Sequence, residues 1–263
     1  MPNAFAYLVF YTWPLVIYII FRKQPLVPAI VWSMVLGYIL IPDRMGFDLP
    51  AVPTITKYEL TTLAVALMCW LKIRSELQAI TDMPQTPAVP VRRSRARGIV
   101  GVLLLLMIIT PLLTVFTNTA PIIAGPRYIP GLRLYDALSM ISATIISVLP
   151  FLLGWRFLNT TESHVTVLKV MCFAMMAYSI PALWEIRMSP QLNRIIYGYT
   201  TSMFAQHMRA GGFRPLVFMD HGLSLGLLLS MSVLATLTLW RHLREGAAKS
   251  SIWFVCLCWL LMT

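Results

Sequence analysis

Long runs of apolar residues are the feature that most limits what this chain can fold into. Several of them reach the roughly 20 residues that a helix needs to cross the hydrocarbon core of a bilayer. The 263-residue chain is 58% hydrophobic and only 12% charged, whereas soluble domains carry roughly 25% charged residues. A helix in lipid satisfies its own backbone hydrogen bonds. The sequence therefore predicts an all-α, polytopic transmembrane bundle.

The apolar runs predict about seven full spans and a partial eighth. Prolines inside several runs are compatible with spans, because neighbouring helices can satisfy the freed carbonyls. The last run is too short to cross a bilayer. We therefore expect residues 1–263 to form a single transmembrane domain that is the N-terminal portion of a longer protein; a short re-entrant or interfacial C-terminal segment is the alternative. The predicted runs are 4–21, 26–41, 58–73, 98–116, 135–158, 165–184, 215–240 and 251–263.

Basic residues in the connections predict the orientation. The connection between the third and fourth runs contains Arg92-Arg93-Ser94-Arg95-Ala96-Arg97. Cytoplasmic connections are enriched in Lys and Arg, so this cluster places the N-terminus outside. We expect a multi-pass protein of a bacterial cytoplasmic (inner) membrane with its other face in the periplasm. The net charge of +11 lies mostly between spans, where topology and phospholipid headgroups account for it, and it does not predict a nucleic-acid partner.

Arginines also lie on the external side, where the charge bias does not explain them. The guanidinium group presents a planar fork of donors that matches phosphate oxygens, whereas the Lys ammonium is a point charge. The pattern favours an external site for an anionic ligand; ordinary solvated loop charge is the alternative. Two connections carry these residues, the first with Arg127 and Arg133 and the second with Arg187, Arg194, Arg209 and Arg214.

Residues 185–214 are predicted to form an external loop with short helices. Ser189-Pro190 is a typical helix start and Gly198 a typical helix end. Ser202 could begin a second short helix that ends at Gly211-Gly212. These helices would present Arg194, Tyr197, His207 and Arg209 outside. Aromatic side chains here could stack on sugars or belong to the interfacial aromatic belt; they are Tyr197, Tyr199 and Phe204.

Asp220-His221-Gly222 is the second external feature that suggests chemistry. If a helix begins at Pro215, then Arg214 and His221 lie on one face about two turns apart. Ionisable groups at that depth are functional candidates, and imidazole suits general-base work near neutral pH. The alternative is a histidine satisfied by Asp220 or by a backbone carbonyl. We also expect Glu185 to pair locally with Arg187, and a stripe of small residues to pack against another helix: Gly222, Gly226 and Ser230.

Signals for other chemistries are missing from the sequence. It has no phosphate-binding glycine loop and no His-x-x-x-His pattern, which disfavours ATP-driven transport and zinc hydrolysis. The cysteines lie in apolar runs and are expected to be buried thiols rather than metal ligands or disulfides. We therefore expect neither a metal nor a cofactor. The cysteines are Cys69, Cys172, Cys256 and Cys258.

Several short stretches carry a family resemblance. They are Ser189-Pro190-Gln191-Leu192-Asn193-Arg194, Gly211-Gly212-Phe213-Arg214-Pro215, Asp220-His221-Gly222-Leu223 and Phe47-Asp48-Leu49-Pro50 with Pro53 and Lys57. Together they resemble the bacterial O-antigen ligase or polymerase-like membrane proteins of exopolysaccharide clusters. Members of that family typically have ten or more spans, so this chain ends earlier.

The resemblance implies a function and roles for particular residues. It implies transfer of a glycan from a polyprenyl-pyrophosphate donor to a sugar hydroxyl at the periplasmic face, without a cofactor. Arg209, Arg214 and Arg194 would hold the pyrophosphate, and His221, or else His207, would activate the acceptor. Further substrate contacts are expected from Arg127, Arg133 and Asp220. Expected partners are the lipid-linked glycan, membrane lipids and polysaccharide-assembly proteins.

Two other functions fit the same residues. A non-enzymatic transporter or flippase of lipid-linked glycans would use the arginines for binding and the bent helices for movement, although no internal repeat is visible in the sequence. An accessory membrane subunit without a site of its own is the other alternative.

Overall fold

The computed structural model describes residues 1–49, 52–81, 95–200, 204–209, 211–244 and 250–262. In these ranges the chain is mostly helical, as predicted. The helices are α1 (Ala4–Lys23), α2 (Leu26–Leu40), α3 (Lys57–Thr81), α4 (Arg95–Thr117), α5 (Leu134–Phe157), α6 (Thr161–Met188), α7 (Leu192–Tyr197), α8 (Gly222–Arg244) and α9 (Ser250–Met262).

Short strands in three connections were missed by the all-α prediction. They pair as two-stranded sheets, and the second and third sheets are antiparallel. A four-residue 3-10 helix, Phe204–His207, precedes the third sheet. The strands are β1 (Gly46–Leu49) with β2 (Val52–Thr56), β3 (Ile122–Ala124) with β4 (Arg127–Ile129), and β5 (Met208–Arg209) with β6 (Gly212–Phe213).

The described residues form two compact units. The first comprises Met1–Gly46, Thr56–Cys69 and Leu153–Thr263. In this unit α6 packs against α2, α8 and α9, and α1 packs against α2. The buried core of the unit is contributed by α6, α8 and α9, with side chains that include Met175, Leu225, Leu239, Trp253 and Leu260.

The N-terminus of α1 is tied to α7 in the first unit. The Asn3 side chain accepts a hydrogen bond from Ala6 N at 2.9 Å, which caps α1. Asn3 also donates from its backbone to Tyr197 O at 2.9 Å and from Nδ2 to Ile196 O at 2.8 Å. Gly198 ends α7 in the left-handed region at φ 84°, as its position in the sequence predicts. An added Cβ there would lie 3.0 Å from Asn3 Cβ, so both space and backbone conformation require glycine.

The second unit comprises Phe47–Ile55 and Trp70–Leu152. Its α4 exposes a broad apolar surface, on which Leu103, Leu105 and Leu106 are each more than half exposed. Soluble monomers rarely expose a contiguous apolar surface of this kind, whereas hydrocarbon covers it without cost. The exposed leucines of α4 therefore suit a lipid environment.

Five helices are long and apolar enough to cross a membrane: α1, α4, α5, α6 and α8. Their length and composition give the chain the character of a helical membrane protein. The predicted second span corresponds to α2, which has 15 residues and measures about 22 Å at 1.5 Å per residue. Neither α2 nor α9 reaches the length of a span, and α3 is not among the five helices. The count of seven spans stays a prediction.

Some sequence predictions fall on residues outside the described ranges, namely those on Pro50, Arg92, Arg93, Ser94 and Ser202. The small-residue stripe on α8 lies within the ranges, and its predicted packing is wrong. Gly226 and Ser230 are exposed, and in the described part of the chain no heavy atom lies within 4 Å of a Cβ added at Gly226. At Gly222, by contrast, an added Cβ would lie against the Arg214 side chain.

Close packing through a small residue is found instead between α2 and α3. A Cβ added at Gly37 would lie 2.5 Å from Thr61 Oγ1 and 2.6 Å from Thr61 Cγ2, and the Thr61 side chain is buried. We expect Gly37→Ala to lower the free energy of unfolding by about 1–3 kcal/mol, because overpacking forces neighbouring groups to shift. Thermal unfolding of the purified protein in detergent measures this loss.

A second substitution separates overpacking from helix propensity. Gly37→Ala combined with Thr61→Ala removes both atoms that clash, so we expect it to recover part of the lost stability. Gly226→Ala is the matched control, and it should leave stability unchanged or slightly raised, because alanine has the higher helix propensity. Equal losses for the two glycine substitutions would show that the contact with Thr61 does not limit this position.

Candidate functional site

A buried carboxylate organises the connection between α6 and α8. Glu185, near the C-terminus of α6, is 0% exposed. Its Oε1 accepts from Leu192 N at 3.0 Å, and its Oε2 accepts from Leu216 N and Val217 N, each at 2.7 Å. The expected pairing with Arg187 is wrong, since Glu185 bonds backbone amides and Arg187 is exposed. Glu185 therefore fixes both ends of the connection between α6 and α8 against α6.

These bonds explain why α8 begins later than predicted. The sequence places a helix start at Pro215, but α8 begins at Gly222. The amides of Leu216 and Val217 are bonded to Glu185, and Phe218 N donates to Tyr178 Oη at 3.0 Å. Val217 also has a φ of 55°, which is incompatible with a right-handed helix. Side chains of α6 thus accept the amide hydrogen bonds of the segment that was predicted to form the first turns of the helix. The prediction that Arg214 and His221 lie two turns apart on one helix is therefore wrong.

The connection nevertheless brings the two predicted histidines together. His207 ends the 3-10 helix, and its carbonyl accepts from Arg214 N at 2.8 Å beside the β5–β6 pair. Gly211, at φ 90°, makes the tight turn between these strands. The ring centroids of His207 and His221 are 6.1 Å apart. His207 is 1% exposed, so its side chain is buried beneath the molecular surface.

His221 caps the N-terminus of α8. Its Nδ1 accepts from Leu223 N at 3.1 Å. A neutral imidazole with an accepting Nδ1 carries its proton on Nε2. In this arrangement the free nitrogen of His221 is therefore a donor. The ring is partly exposed, which leaves it able to meet a ligand.

Arg214 is the predicted arginine that lies at these rings. Its side chain runs along the start of α8, where Cγ, Cδ and Nε lie 2.7–2.8 Å from a Cβ added at Gly222. Gly222 therefore makes room for Arg214, which gives this glycine a role that differs from the predicted helix packing. Arg214 is partly exposed, and it lies close enough to His207 to act on the charge of the ring.

The environment of His207 favours a neutral ring. Burial lowers the pKa of His207 below its usual value of 6.5, and the nearby His221 and Arg214 lower it further. Protonation of His207 would place a positive charge in a buried position beside Arg214 and His221, which explains why its pKa is lowered. His207 is therefore an unprotonated imidazole near neutral pH, and such a ring can accept a proton.

Asp220 also caps α8. Its Oδ1 accepts from His221 N at 2.8 Å and from Ser224 Oγ at 3.0 Å. The carboxylate is exposed, and negative charge at a helix N-terminus is favourable. Asp220 thus positions the residue that follows it, and both of these hydrogen bonds are made by Oδ1.

The other predicted arginines have different surroundings. Arg194 is exposed on α7. Arg209 lies in β5, paired with Gly212, and its side chain lies outside the described part of the structure. Arg127 in β4 and Arg133 before α5 are exposed in the second compact unit, where the Asp136 carboxylate accepts from Arg133 N at 2.7 Å. The convergence of several arginines stays a prediction.

Two of the three aromatic side chains that the sequence suggested for a ligand surface, Tyr197 and Tyr199, are buried. Tyr197 is 4% and Tyr199 is 7% exposed. Tyr197 Oη donates to Leu40 O at 2.6 Å, and Tyr199 Oη accepts from Arg44 N at 3.2 Å. Burial raises the pKa of Tyr197 to about 12, with a further contribution from Tyr199. Both tyrosines join the loop to the end of α2 and are too buried to stack on a ligand.

A charged pair that the sequence prediction missed lies in the same compact unit. Lys57 Nζ is 3.0 Å from Asp43 Oδ1, and the Lys57 side chain is 1% exposed. The ammonium lies 5.6 Å from the centroid of the Tyr38 ring and 5.1 Å from that of Tyr58. The signal for this pair was present, because Asp43 and Lys57 flank neighbouring apolar runs. Only the fold shows that their side chains meet.

The described residues offer no metal site. No group of three or more His, Cys, Asp or Glu side chains with metal-binding geometry occurs among them. Three of the cysteines are buried free thiols, namely Cys69, Cys172 and Cys256, and Cys258 is partly exposed. In the described ranges, the site is thus built from imidazole, guanidinium and carboxylate groups around the start of α8.

The chain matches no protein-family model, no curated protein and no solved structure. Its function is therefore inferred from the chemistry of the groups around the start of α8.

Proposed function

We propose that this protein is a membrane glycosyltransferase, similar to O-antigen ligases and exopolysaccharide polymerases. It would move a glycan from a polyprenyl-pyrophosphate donor to a sugar hydroxyl at the periplasmic face of a bacterial inner membrane. The observation that carries the proposal is the grouping of His207, His221 and Arg214 at the start of α8. This proposal includes seven spans, a partial eighth and an external N-terminus. Lipids and polysaccharide-assembly proteins are its proposed partners.

The leaving group of this reaction needs positive charge and hydrogen-bond donors. Arg214 supplies a guanidinium fork that matches pyrophosphate oxygens. His221 adds an Nε2–H donor, because Leu223 N already donates to its Nδ1. Groups that stabilise charge where it develops in the transition state are often the largest source of rate enhancement. In the proposal, Arg214 and His221 therefore bind the pyrophosphate.

The acceptor hydroxyl needs a base, and we assign this role to His207. Its lowered pKa keeps the ring unprotonated near neutral pH. Because His207 is 1% exposed, it meets a substrate only after a local movement of the connection that contains it. The sequence favoured His221 as the base and kept His207 as the second candidate. For His221 Nε2 to accept a proton, Nδ1 would have to carry one, and this Nδ1–H would then face the N–H of Leu223 instead of accepting from it.

The atoms of the proposed step balance without a metal or a nucleotide. The acceptor oxygen forms a bond to the anomeric carbon, and its proton passes to His207. The bond between that carbon and the pyrophosphate oxygen breaks, and the electron pair leaves with the lipid pyrophosphate. Attack from the face opposite the leaving group inverts the anomeric configuration, so a product with retained configuration would contradict this single-step route.

Arg214→Ala tests the binding role. We expect the affinity for a polyprenyl-pyrophosphate-linked oligosaccharide to fall about 10–100-fold, because hydrogen bonds to charged groups contribute about 1.5–3 kcal/mol. Binding is measured on the purified full chain in detergent, and transfer is followed on gels with no nucleotide added. Arg187→Ala is the matched control, since Arg187 is an exposed arginine at the end of α6.

The results of this experiment separate the candidate functions. Loss of donor affinity in Arg214→Ala but not in Arg187→Ala, together with transfer by the wild-type protein, supports the proposal. Equal affinities for both variants would remove Arg214 from the donor site. Donor binding by a wild-type protein that forms no product would favour the transporter or flippase instead.

A further inference from the structure

The buried pair of Lys57 and Asp43 costs hydration free energy, and helix packing does not require a charged pair at this position. An ammonium group loses several kcal/mol of hydration when it is buried, and a buried ion pair adds little net stability compared with apolar residues of the same size. The Lys57 side chain is 1% exposed, and its ammonium contacts one carboxylate and the faces of two tyrosine rings. Costly charged groups near a membrane surface are candidates for functional residues.

The outer face of this group consists of Asp43 and Tyr58. The Asp43 side chain is 16% exposed and that of Tyr58 is 39% exposed. Lys57 Nζ and Tyr58 Oη both contact Asp43 Oδ1, at 3.0 and 3.5 Å. Within the described part of the chain, both of these contacts are made by Oδ1, which leaves Oδ2 of Asp43 available as an acceptor. The buried Lys57 ammonium thus contacts the Asp43 carboxylate, and part of the Tyr58 ring is exposed.

A chain of polar groups continues from this pair to the histidines. The Tyr38 hydroxyl lies near enough to the Ser224 side chain to interact with it, and Ser224 Oγ donates to Asp220 Oδ1 at 3.0 Å. The ring of Tyr38 is 5.6 Å from that of Tyr58. Asp220 precedes His221 directly, so the Lys57–Asp43 pair and the imidazoles belong to one continuous polar region of the first compact unit.

The charges in this region divide it into two parts. Arg214 makes one part electropositive, and His221 adds an N–H donor there. In the other part Lys57 is paired with Asp43, Arg44 follows Asp43 in the sequence, and Asp220 adds a second carboxylate. The charges of this part nearly cancel, so it attracts pyrophosphate less than Arg214 does. Carboxylate oxygens accept hydrogen bonds from hydroxyl groups, and the face of a tyrosine ring packs against apolar C–H groups. This combination suits a neutral polyhydroxylated ring.

We infer that Asp43, Tyr58 and Asp220 form a subsite for a neutral sugar, with Lys57 as the residue that positions Asp43. The inference rests on the proposed function, within which this subsite holds the acceptor glycan while Arg214 holds the donor pyrophosphate. Sugar hydroxyls bond to Asp43 Oδ2 and to the free oxygen of Asp220, and one sugar face packs against Tyr58.

Binding without turnover tests the subsite separately from the reaction. The purified full chain in detergent is titrated with neutral oligosaccharides of glucose, galactose and mannose, and separately with inorganic pyrophosphate. Saturation-transfer NMR or calorimetry measures both. We expect Asp43→Asn and Tyr58→Ala to weaken sugar binding about tenfold, which corresponds to roughly 1.4 kcal/mol, and to leave pyrophosphate affinity unchanged. Arg214→Ala should show the opposite pattern.

Matched controls lie elsewhere in the same compact unit. Glu162→Gln changes an exposed carboxylate in the first turn of α6, and Tyr11→Ala removes a tyrosine of α1 that is 60% exposed. Neither should alter sugar affinity. Lys57→Met should weaken sugar binding and Lys57→Arg should restore it in part, which a purely structural loss of Lys57 would not do. Asp43→Asn and Tyr58→Ala keep the test valid if Lys57→Met does not fold.

The outcomes of the sugar and transfer assays are independent. A wild-type protein that binds none of these sugars, or site variants that bind them as well as the controls do, would overturn the subsite. Sugar binding that depends on Asp43 and Tyr58 in a protein without transfer activity would support the subsite and contradict the proposed reaction.

Discussion

Replacing His207 with alanine is expected to lower the rate of glycan transfer by about 10²–10⁴-fold, the usual contribution of a general base. Donor affinity should change little, because Arg214 and His221 rather than His207 contact the pyrophosphate in the proposal. The rate is measured with saturating lipid-linked donor, and thermal unfolding of the variant confirms that it is folded. His242→Ala is the matched control, since His242 is exposed at the other end of α8.

The pH dependence gives a second readout of the same role. A base must be unprotonated, and burial, His221 and Arg214 lower the pKa of His207 below 6.5. The wild-type rate should therefore stay constant as the pH falls from neutrality and decline only below about pH 6.5. This acid limb should disappear in His207→Ala. A variant that keeps the wild-type rate and the same acid limb would exclude His207 as the base.

Two substitutions of His221 distinguish its two nitrogens. Asn places an amide oxygen near the position of Nδ1, so His221→Asn retains an acceptor for Leu223 N but loses the outer donor. Gln reaches towards the position of Nε2, so His221→Gln retains a donor there. If His221 binds the leaving group, the Gln variant should keep more donor affinity than the Asn variant. The reverse order would indicate that the cap of α8 is the more important role.

Replacing Glu185 with alanine is expected to lower the free energy of unfolding by at least about 3 kcal/mol. The side chain is fully buried and accepts hydrogen bonds from three backbone amides, and each buried amide left without a partner costs about 1–3 kcal/mol. Thermal unfolding in detergent measures this change. Limited proteolysis should also show faster cleavage between α6 and α8, because the connection loses its attachment.

The controls for Glu185 use the same helix and the same side-chain size. Glu162→Ala changes an exposed carboxylate in the first turn of α6, where the helix dipole makes it worth about 0.3–1 kcal/mol. Glu185→Gln keeps the size but turns an N–H₂ group towards a backbone N–H, so it should fall between the two. A Glu185→Ala protein as stable as Glu162→Ala would show that other groups hold the connection. Transfer should fall with stability, because Arg214 and His221 flank the attached segment.

The helices were largely predictable, because helix formation and lipid solvation depend on local composition. Each predicted apolar run corresponds to a helix, and the bounds of α1 and α5 differ from prediction by only one or two residues. The start of α8 was not predictable in this way. The amides of residues 216–218, ahead of the helix, are bonded to Glu185 and Tyr178, which lie more than 30 residues earlier in the chain. No local sequence pattern reveals such distant partners.

The candidate site was predictable in its residue types but not in its arrangement. The arginines were noticed because the predicted charge bias does not explain them, and the histidines because imidazole suits proton transfer. The structure groups His207, His221 and Arg214. The donor character of His221 depends on the bond from Leu223 N, which exists only because α8 begins at Gly222. Tyr197 and Tyr199 are buried, although sequence reasoning considered them for an exposed surface.

By itself, the sequence determined that this chain is a set of apolar helices, because an apolar run can meet its backbone hydrogen bonds in lipid only by coiling. The tertiary structure alone decided which polar groups meet. Glu185 accepts hydrogen bonds from the backbone amides of a distant segment, and Lys57 pairs with Asp43 across a connection. Burial makes such contacts strong, and they depend on distances that the order of residues does not specify.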